Sequence, residues 1–171
     1  MGRSDLPKPL KPSSDVLYRI KRGLAGYVSY LAACEMNQSF SEYVLYEPTL
    51  RILTARGFTV KCEVPCPGFA RKSTGDLKRI DFVADGNGAY FAIEMKWART
   101  RKLDVSVDVE KLKCFRRSKN EALGFLCVFG KKSFLDGFIL KPAGLREQGT
   151  AVYADFRKTR YGCRVYEVTD G

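Results

Sequence analysis

Two acidic residues and a lysine occupy neighbouring runs of a predicted β-hairpin. Asp81 lies in the first apolar run, and Glu94 and Lys96 lie in the second, with Asp85-Gly86-Asn87-Gly88 between them. These intervening residues accept positive φ angles and close tight turns. Because side chains alternate across a strand, the registers that align the apolar rows place both acids and the lysine on one face. The β-carbons of the acids are then about 5–8 Å apart, so the carboxylates can share a divalent cation beside a lysine.

The apolar residues of both runs support this register. One face of the hairpin is predicted to carry the bulky side chains, namely Ile80, Phe82, Ala84, Phe91, Ile93, Met95 and Trp97. An exposed sheet face with ordinary charges is the alternative interpretation. The strands are too apolar for a simple surface hairpin, which favours a catalytic role for the acids and the lysine.

The composition limits which hydrolytic chemistry the chain can use. The sequence contains no histidine, which excludes Ser-His-Asp and Cys-His schemes and histidine-ligated metal centres. Hydrolysis would therefore depend on carboxylates, lysine and a hard cation, Mg²⁺ or Mn²⁺. The six cysteines form neither a disulfide framework nor paired Cys-x-x-Cys motifs, so we expect reduced thiols and a cytoplasmic protein.

A strong positive charge indicates a polyanionic partner. The 171 residues include 30 Lys and Arg against 19 Asp and Glu, a net charge of +11. Nucleic acid and an anionic membrane surface both fit that charge. A secretory leader and an apolar run of membrane-spanning length are both absent from the sequence, so we expect no membrane association.

The pattern around the hairpin predicts one domain. Residues 1–14 are rich in proline and basic residues and predict a flexible leader, followed by a single domain over 15–171. The apolar run 123–129 follows a predicted helix over 106–119, which favours a right-handed crossover and a parallel pair with the second hairpin strand. The remaining elements are predicted as helices over 16–34 and from about 39 to 56, a strand over 58–65, and edge strands over 151–156 and 163–168.

A further acid lies on the second predicted helix. Glu42 falls on the apolar line of that helix, where an acid must cap, pair or bind something. The Ser39-x-x-Glu42 spacing also fits a capping box, which is an equally good explanation. Glu47 lies on another side of the helix and is the competing candidate.

The order of these elements resembles the restriction-endonuclease-like, or PD-(D/E)xK, nuclease superfamily. The resemblance covers roughly residues 39–130, with Asp81 as the first acid of the motif, Glu94 as the second and Lys96 as its lysine. Glu42 is similar to the glutamate on the first core helix of many members. Ile80 stands where the motif name has proline, as in many members. The resemblance implies an α/β fold with a central mixed sheet flanked by helices.

The resemblance also implies a function, that of a Mg²⁺-dependent (endo)nuclease that cleaves phosphodiester bonds, with DNA expected as its substrate ahead of RNA. Asp81, Glu94 and the Met95 backbone carbonyl would hold the metal, and Lys96 would assist the attacking water. The basic residues expected to bind phosphates are Arg99, Arg101, Lys102, Lys111, Lys113, Arg116 and Arg117. A non-catalytic nucleic-acid-binding module and an interaction subunit are the alternatives, and endo or exo action, a homodimer and RNA as substrate all remain open.

Overall fold

Seven strands in a mixed sheet, with helices against it, form the part of the chain that the structure describes. The structure is a computed structural model that describes residues 12–36, 41–69, 77–137 and 144–169. The α-helices are α1 (Pro12–Ala33), α2 (Tyr46–Ala55), α3 (Ser106–Ser118) and α4 (Lys132–Leu135), and a short 3₁₀ helix covers Glu42–Leu45. The strands are β1 (Thr59–Pro65), β2 (Arg79–Gly86), β3 (Ala89–Ala98), β4 (Leu123–Lys131), β5 (Leu145–Glu147), β6 (Val152–Phe156) and β7 (Thr159–Val168).

The strand order confirms an α/β fold with a mixed sheet. The order is β1-β2-β3-β4-β7, and β5 and β6 pair with opposite ends of the far edge of β7. β3 and β4 are parallel and are joined through α3, as the crossover predicted, and the other neighbours are antiparallel. The parallel pair brings the C-terminal ends of β3 and β4 to the same edge of the sheet.

The sheet separates two apolar layers. Phe82, Phe91 and Ile93 pack on the face covered by α1 and α2. Ala92 and Leu126 pack on the opposite face, which α3 covers. A sheet covered on both faces explains why β4 reads as a continuous apolar run.

The hairpin prediction is confirmed in its turn and register. β2 pairs with β3 from Gly86↔Ala89 to Phe82↔Ile93. Asn87 (φ 52°) and Gly88 (φ 71°) form the turn in the left-handed region, where asparagine and glycine are tolerated. The Asn87 side chain donates to the Arg56 carbonyl at 2.8 Å, so the hairpin tip also caps the C-terminal end of α2.

Two predictions were wrong, one about where the first helix begins and one about the position of the last strand in the sheet. α1 begins at Pro12, so residues 12–14 of the predicted leader are helical, because proline suits the first turn of a helix; residues 1–11 lie outside the described residues. β7 is an interior strand and not an edge strand, since it pairs with β4 on one side and with β5 and β6 on the other.

No helix in the described part of the chain is both long enough and apolar enough to cross a bilayer.

Candidate active site

Asp81 lies where β2 separates from β3. Its carboxylate accepts a hydrogen bond from the Met95 backbone N–H at 2.7 Å through Oδ2 and one from the Tyr46 hydroxyl at 2.5 Å through Oδ1. The Asp81 side chain therefore accepts the hydrogen bond from the Met95 N–H that a backbone carbonyl of the neighbouring strand would otherwise accept. The acid is fixed from two directions, by β3 and by α2.

The alternation of faces along β2 breaks at this position. Phe82 and Ala84 pack with the α1 and α2 layer as predicted, but Ile80 packs with the α3 layer, so its predicted face was wrong. The β1 pairing passes from Cys62↔Phe82 to Val64↔Ile80, and the intervening Glu63 has φ 52°. The local distortion of both strands turns Ile80 to the other side of the sheet.

Glu94 is buried on β3 and is paired with a lysine from α3. The residue is 1% exposed, and its Oε2 accepts a hydrogen bond from the Lys111 ammonium at 2.5 Å. The same ammonium donates to the Arg79 carbonyl at 2.9 Å. Glu94 Oε1 is buried without a hydrogen-bond partner among the described residues. One oxygen of this carboxylate is therefore anchored, and the other remains available to a ligand.

The acid pair is electrostatically strained. Burial and the charge of Asp81 raise the pKa of Glu94 to about 9, although Lys111 acts in the opposite direction. Burial also raises the pKa of Asp81, despite the hydrogen bonds from Tyr46 and Met95. Burial disfavours the ionised form of both acids, and a further positive charge near them would offset that cost.

Lys96 is held by an acid from α3. Its ammonium lies 3.1 Å from Asp108 Oδ2, and Asp108 Oδ1 lies 3.3 Å from the Lys111 ammonium. Burial lowers the pKa of Lys96, but the charge of Asp108 and its hydrogen bond more than compensate, so this pKa is raised overall. A raised pKa keeps Lys96 protonated, which suits neutralising negative charge and does not suit accepting a proton.

The two candidate helix acids occupy different environments. Glu42, at the start of the 3₁₀ helix, accepts a hydrogen bond from the Trp97 backbone N–H at 3.2 Å and contributes to raising the pKa of Lys96. Glu47 is exposed and pairs with Arg51 one turn along α2. The structure therefore brings Glu42 to the end of β3 beside Lys96 and leaves Glu47 in solvent. Ser39, the first residue of the predicted capping box, lies outside the described residues.

The seven predicted phosphate-binding residues do not form one surface. Arg99, Arg101 and Lys102 are exposed at the C-terminal end of β3. Lys111 is 7% exposed and pairs with Glu94, so it lies apart from the exposed basic residues, and its phosphate contact stays a prediction. The other three, Lys113, Arg116 and Arg117, follow along α3. Arg116 and Arg117 lie eight and nine residues beyond Asp108, about 12 Å along the helix axis, and therefore mark the opposite end of β3.

The donors at this site fit a hard cation bound by few protein ligands. Mg²⁺ typically binds one or two carboxylates and keeps several waters. Asp81 and Glu94 are two such carboxylates, and Glu94 Oε1 has no hydrogen-bond partner among the described residues. Within residues 12–36, 41–69, 77–137 and 144–169, no three acid or cysteine side chains gather as a metal-binding group. Met95 approaches Asp81 through its N–H, and its side chain is buried in the core; its carbonyl stays a predicted ligand.

Three residues that contact the predicted trio were not identified from the sequence as its partners. Tyr46 lies four residues after Glu42, which is one helical turn, so it could have been found as a polar residue on the same helix face. Asp108 and Lys111 are three residues apart on the apolar stripe of α3. A pair of opposite charges within an apolar stripe is a signal for a buried ionic contact.

The chain was compared with known proteins at three levels. No protein-family model matches it, and no curated protein or solved structure matches it either.

Proposed function

We propose that the chain is a metal-dependent nuclease that hydrolyses phosphodiester bonds, with DNA as the first substrate to test. The observation that carries the proposal is the buried Oε1 of Glu94, which has no hydrogen-bond partner among the described residues. Burial raises the pKa of Glu94 and of Asp81, and the charge of Asp81 raises that of Glu94 further. The restriction-endonuclease-like core and the assignment to that superfamily belong to the same proposal, supported by the parallel β3–β4 pair and the hairpin that carries the acids.

Asp81 and Glu94 would hold Mg²⁺, which supplies charge neutralisation of the scissile phosphate and a more acidic bound water. Tyr46 and Met95 fix Asp81, and Lys111 fixes Glu94 by its other oxygen. These contacts remove rotational freedom from both acids before any substrate arrives.

Lys96 would act as a cation next to the acid pair. Asp108 holds its ammonium at 3.1 Å and keeps it protonated. A protonated lysine at this place stabilises the charge that develops on the phosphate oxygens, and it orients the attacking water by donating to it. Glu42 lies at the same end of β3 and would contribute to the metal site through a water molecule.

A binding module without catalysis is the second candidate. The buried Lys111 ammonium already neutralises Glu94, which is the arrangement expected where no cation binds. The net charge of +11 would then serve nucleic-acid binding directly.

The decisive experiment is cleavage of plasmid and linear DNA with Mg²⁺ or Mn²⁺. We expect the wild type to degrade DNA in a metal-dependent way, Asp81→Asn to abolish cleavage and Lys96→Met to reduce it strongly. Lys61→Met, which changes an exposed lysine on β1, is the matched control and should cleave normally. DNA binding without cleavage under either metal would reject the enzyme and leave the binding module.

A further inference from the structure

A cleft lies where the 3₁₀ helix meets the C-terminal end of β3. It has a volume of about 350 Å³ and is lined by Glu42 and Tyr43 on one side and by Trp97, Arg99 and Lys102 on the other. The hydrogen bond from the Trp97 N–H to Glu42 joins the two sides at 3.2 Å. The cleft therefore combines aromatic rings with basic side chains within a few residues of Lys96.

Tyr43 presents its ring to solvent in this cleft. The residue is 76% exposed, the largest value among the exposed large apolar and aromatic residues in the described part of the chain. Its ring lies 5.5 Å from that of Tyr46, and the Tyr46 hydroxyl is the group that hydrogen-bonds Asp81. The exposed ring is thus two contacts away from the first acid of the site.

The basic residues of the cleft suit a phosphate group. Arg99 and Lys102 are both exposed and lie on the loop that continues β3. Single-stranded nucleic acid is bound by this combination, in which basic side chains follow the backbone and aromatic rings stack on the bases. In a duplex the base faces are stacked on each other, so Tyr43 could reach only an unpaired base.

We propose that this cleft binds an unpaired nucleotide, with its base stacked on Tyr43 and its phosphate near Arg99 and Lys102. The inference rests on the proposed function for its meaning and deepens it by naming the substrate class: single-stranded nucleic acid or an unpaired end, and not a fully paired duplex.

The test measures binding of the full chain to a fluorescent single-stranded oligonucleotide and to the matching duplex, with EDTA present so that no cleavage occurs. Base–aromatic stacking is strong enough that Tyr43→Ala should weaken single-strand binding roughly tenfold. Tyr43→Phe keeps the ring and should bind as the wild type does. Tyr30→Ala removes a ring that is 63% exposed on α1, outside the cleft, and is the matched control.

Trp97 supplies a second, independent measurement. It is the single tryptophan of the chain and lines the cleft, so its fluorescence should change when the oligonucleotide binds. In Tyr43→Phe the fluorescence should change at the same oligonucleotide concentration as in the wild type. In Tyr43→Ala the same change should require a higher oligonucleotide concentration.

The outcomes separate this inference from the nuclease proposal. Equal single-strand affinity of Tyr43→Ala and wild type overturns the inference, as does an equal loss on single strand and duplex, or an absence of oligonucleotide binding by the wild type. Metal-dependent cleavage by the wild type combined with any of these results leaves the nuclease intact. Tyr43-dependent single-strand binding without cleavage under any metal supports the cleft and rejects the nuclease.

Discussion

Replacing Lys111 with methionine tests the electrostatic arrangement around Glu94. The ammonium contacts Glu94 at 2.5 Å, the Arg79 carbonyl at 2.9 Å and Asp108 at 3.3 Å, and the residue is 7% exposed. Removing one partner of a buried ion pair costs about 3–5 kcal/mol because the remaining charge is left uncompensated. Glu94 can reduce that cost by holding a proton, since its pKa is already raised to about 9. We therefore expect the lower end of the range, about 3 kcal/mol at neutral pH.

The loss should be visible as a lower melting temperature. For a chain of this size, 1 kcal/mol changes Tm by roughly 2–4 °C, so Lys111→Met should melt about 6–12 °C below the wild type. Lys113→Met is the control, because Lys113 lies on the same helix and is less buried. It should change the free energy of unfolding by no more than about 0.5 kcal/mol.

A double-mutant cycle identifies the source of that loss. Glu94→Gln removes the uncompensated charge and keeps the shape of the side chain, so Lys111→Met with Glu94→Gln should be destabilised by less than the sum of the single changes. Urea unfolding of the four proteins in EDTA gives the coupling free energy, which we expect to be at least about 1.5 kcal/mol. A Lys111→Met variant as stable as the wild type would contradict the predicted loss of the ion pair. A double variant whose destabilisation equals the sum of the two single changes would contradict it as well.

Three further predictions address the site and the core. Glu42→Gln should slow metal-dependent DNA cleavage by roughly tenfold to a hundredfold, as for groups that support a metal site, whereas Glu47→Gln should cleave as the wild type; equal rates would contradict a role for Glu42. The folded-state pKa of Glu94 is raised from 4.5 to about 9, so the folded protein binds more protons in that window and metal-free stability should fall from about pH 5 to pH 9. Glu94→Gln should flatten this profile, measured as Tm against pH in EDTA, and an unchanged slope would show that another group titrates. Phe129 is fully buried and packs against the rings of Trp97 and Tyr161, so Phe129→Ala should lower the free energy of unfolding by about 3–5 kcal/mol in a urea titration. A loss below about 1 kcal/mol would contradict its core position.

The hairpin was predictable because its determinants are local. Asn87 and Gly88 tolerate the left-handed conformation that the turn needs, and the alternating apolar residues of β3 set the register. The β3–α3–β4 crossover followed from a helix placed between an amphipathic strand and an apolar one. The break in alternation at Asp81 was not predictable, because it coincides with the positive φ of Glu63 on the neighbouring strand, which no local pattern of β2 indicates.

The candidate site was predictable only in part. The acids and Lys96 share the hairpin, so their proximity follows from strand geometry. Lys111 looked like one more basic residue of a charged helix, and its burial against Glu94 became evident only when α3 was placed on the sheet. The helix position decides which of several lysines meets the acid, and neither charge nor spacing in the chain specifies that choice.

The sequence alone therefore determined most of the elements and the hairpin register, because turn preference and strand alternation act over short distances along the chain. Its composition excluded chemistry that needs a histidine. The tertiary structure decided how the charges are distributed among those elements. It buried Lys111, turned Glu42 towards Trp97, and placed Arg116 and Arg117 at the far end of α3 from Lys96. These outcomes depend on how helices pack across a sheet, and such packing joins residues that are distant in the chain.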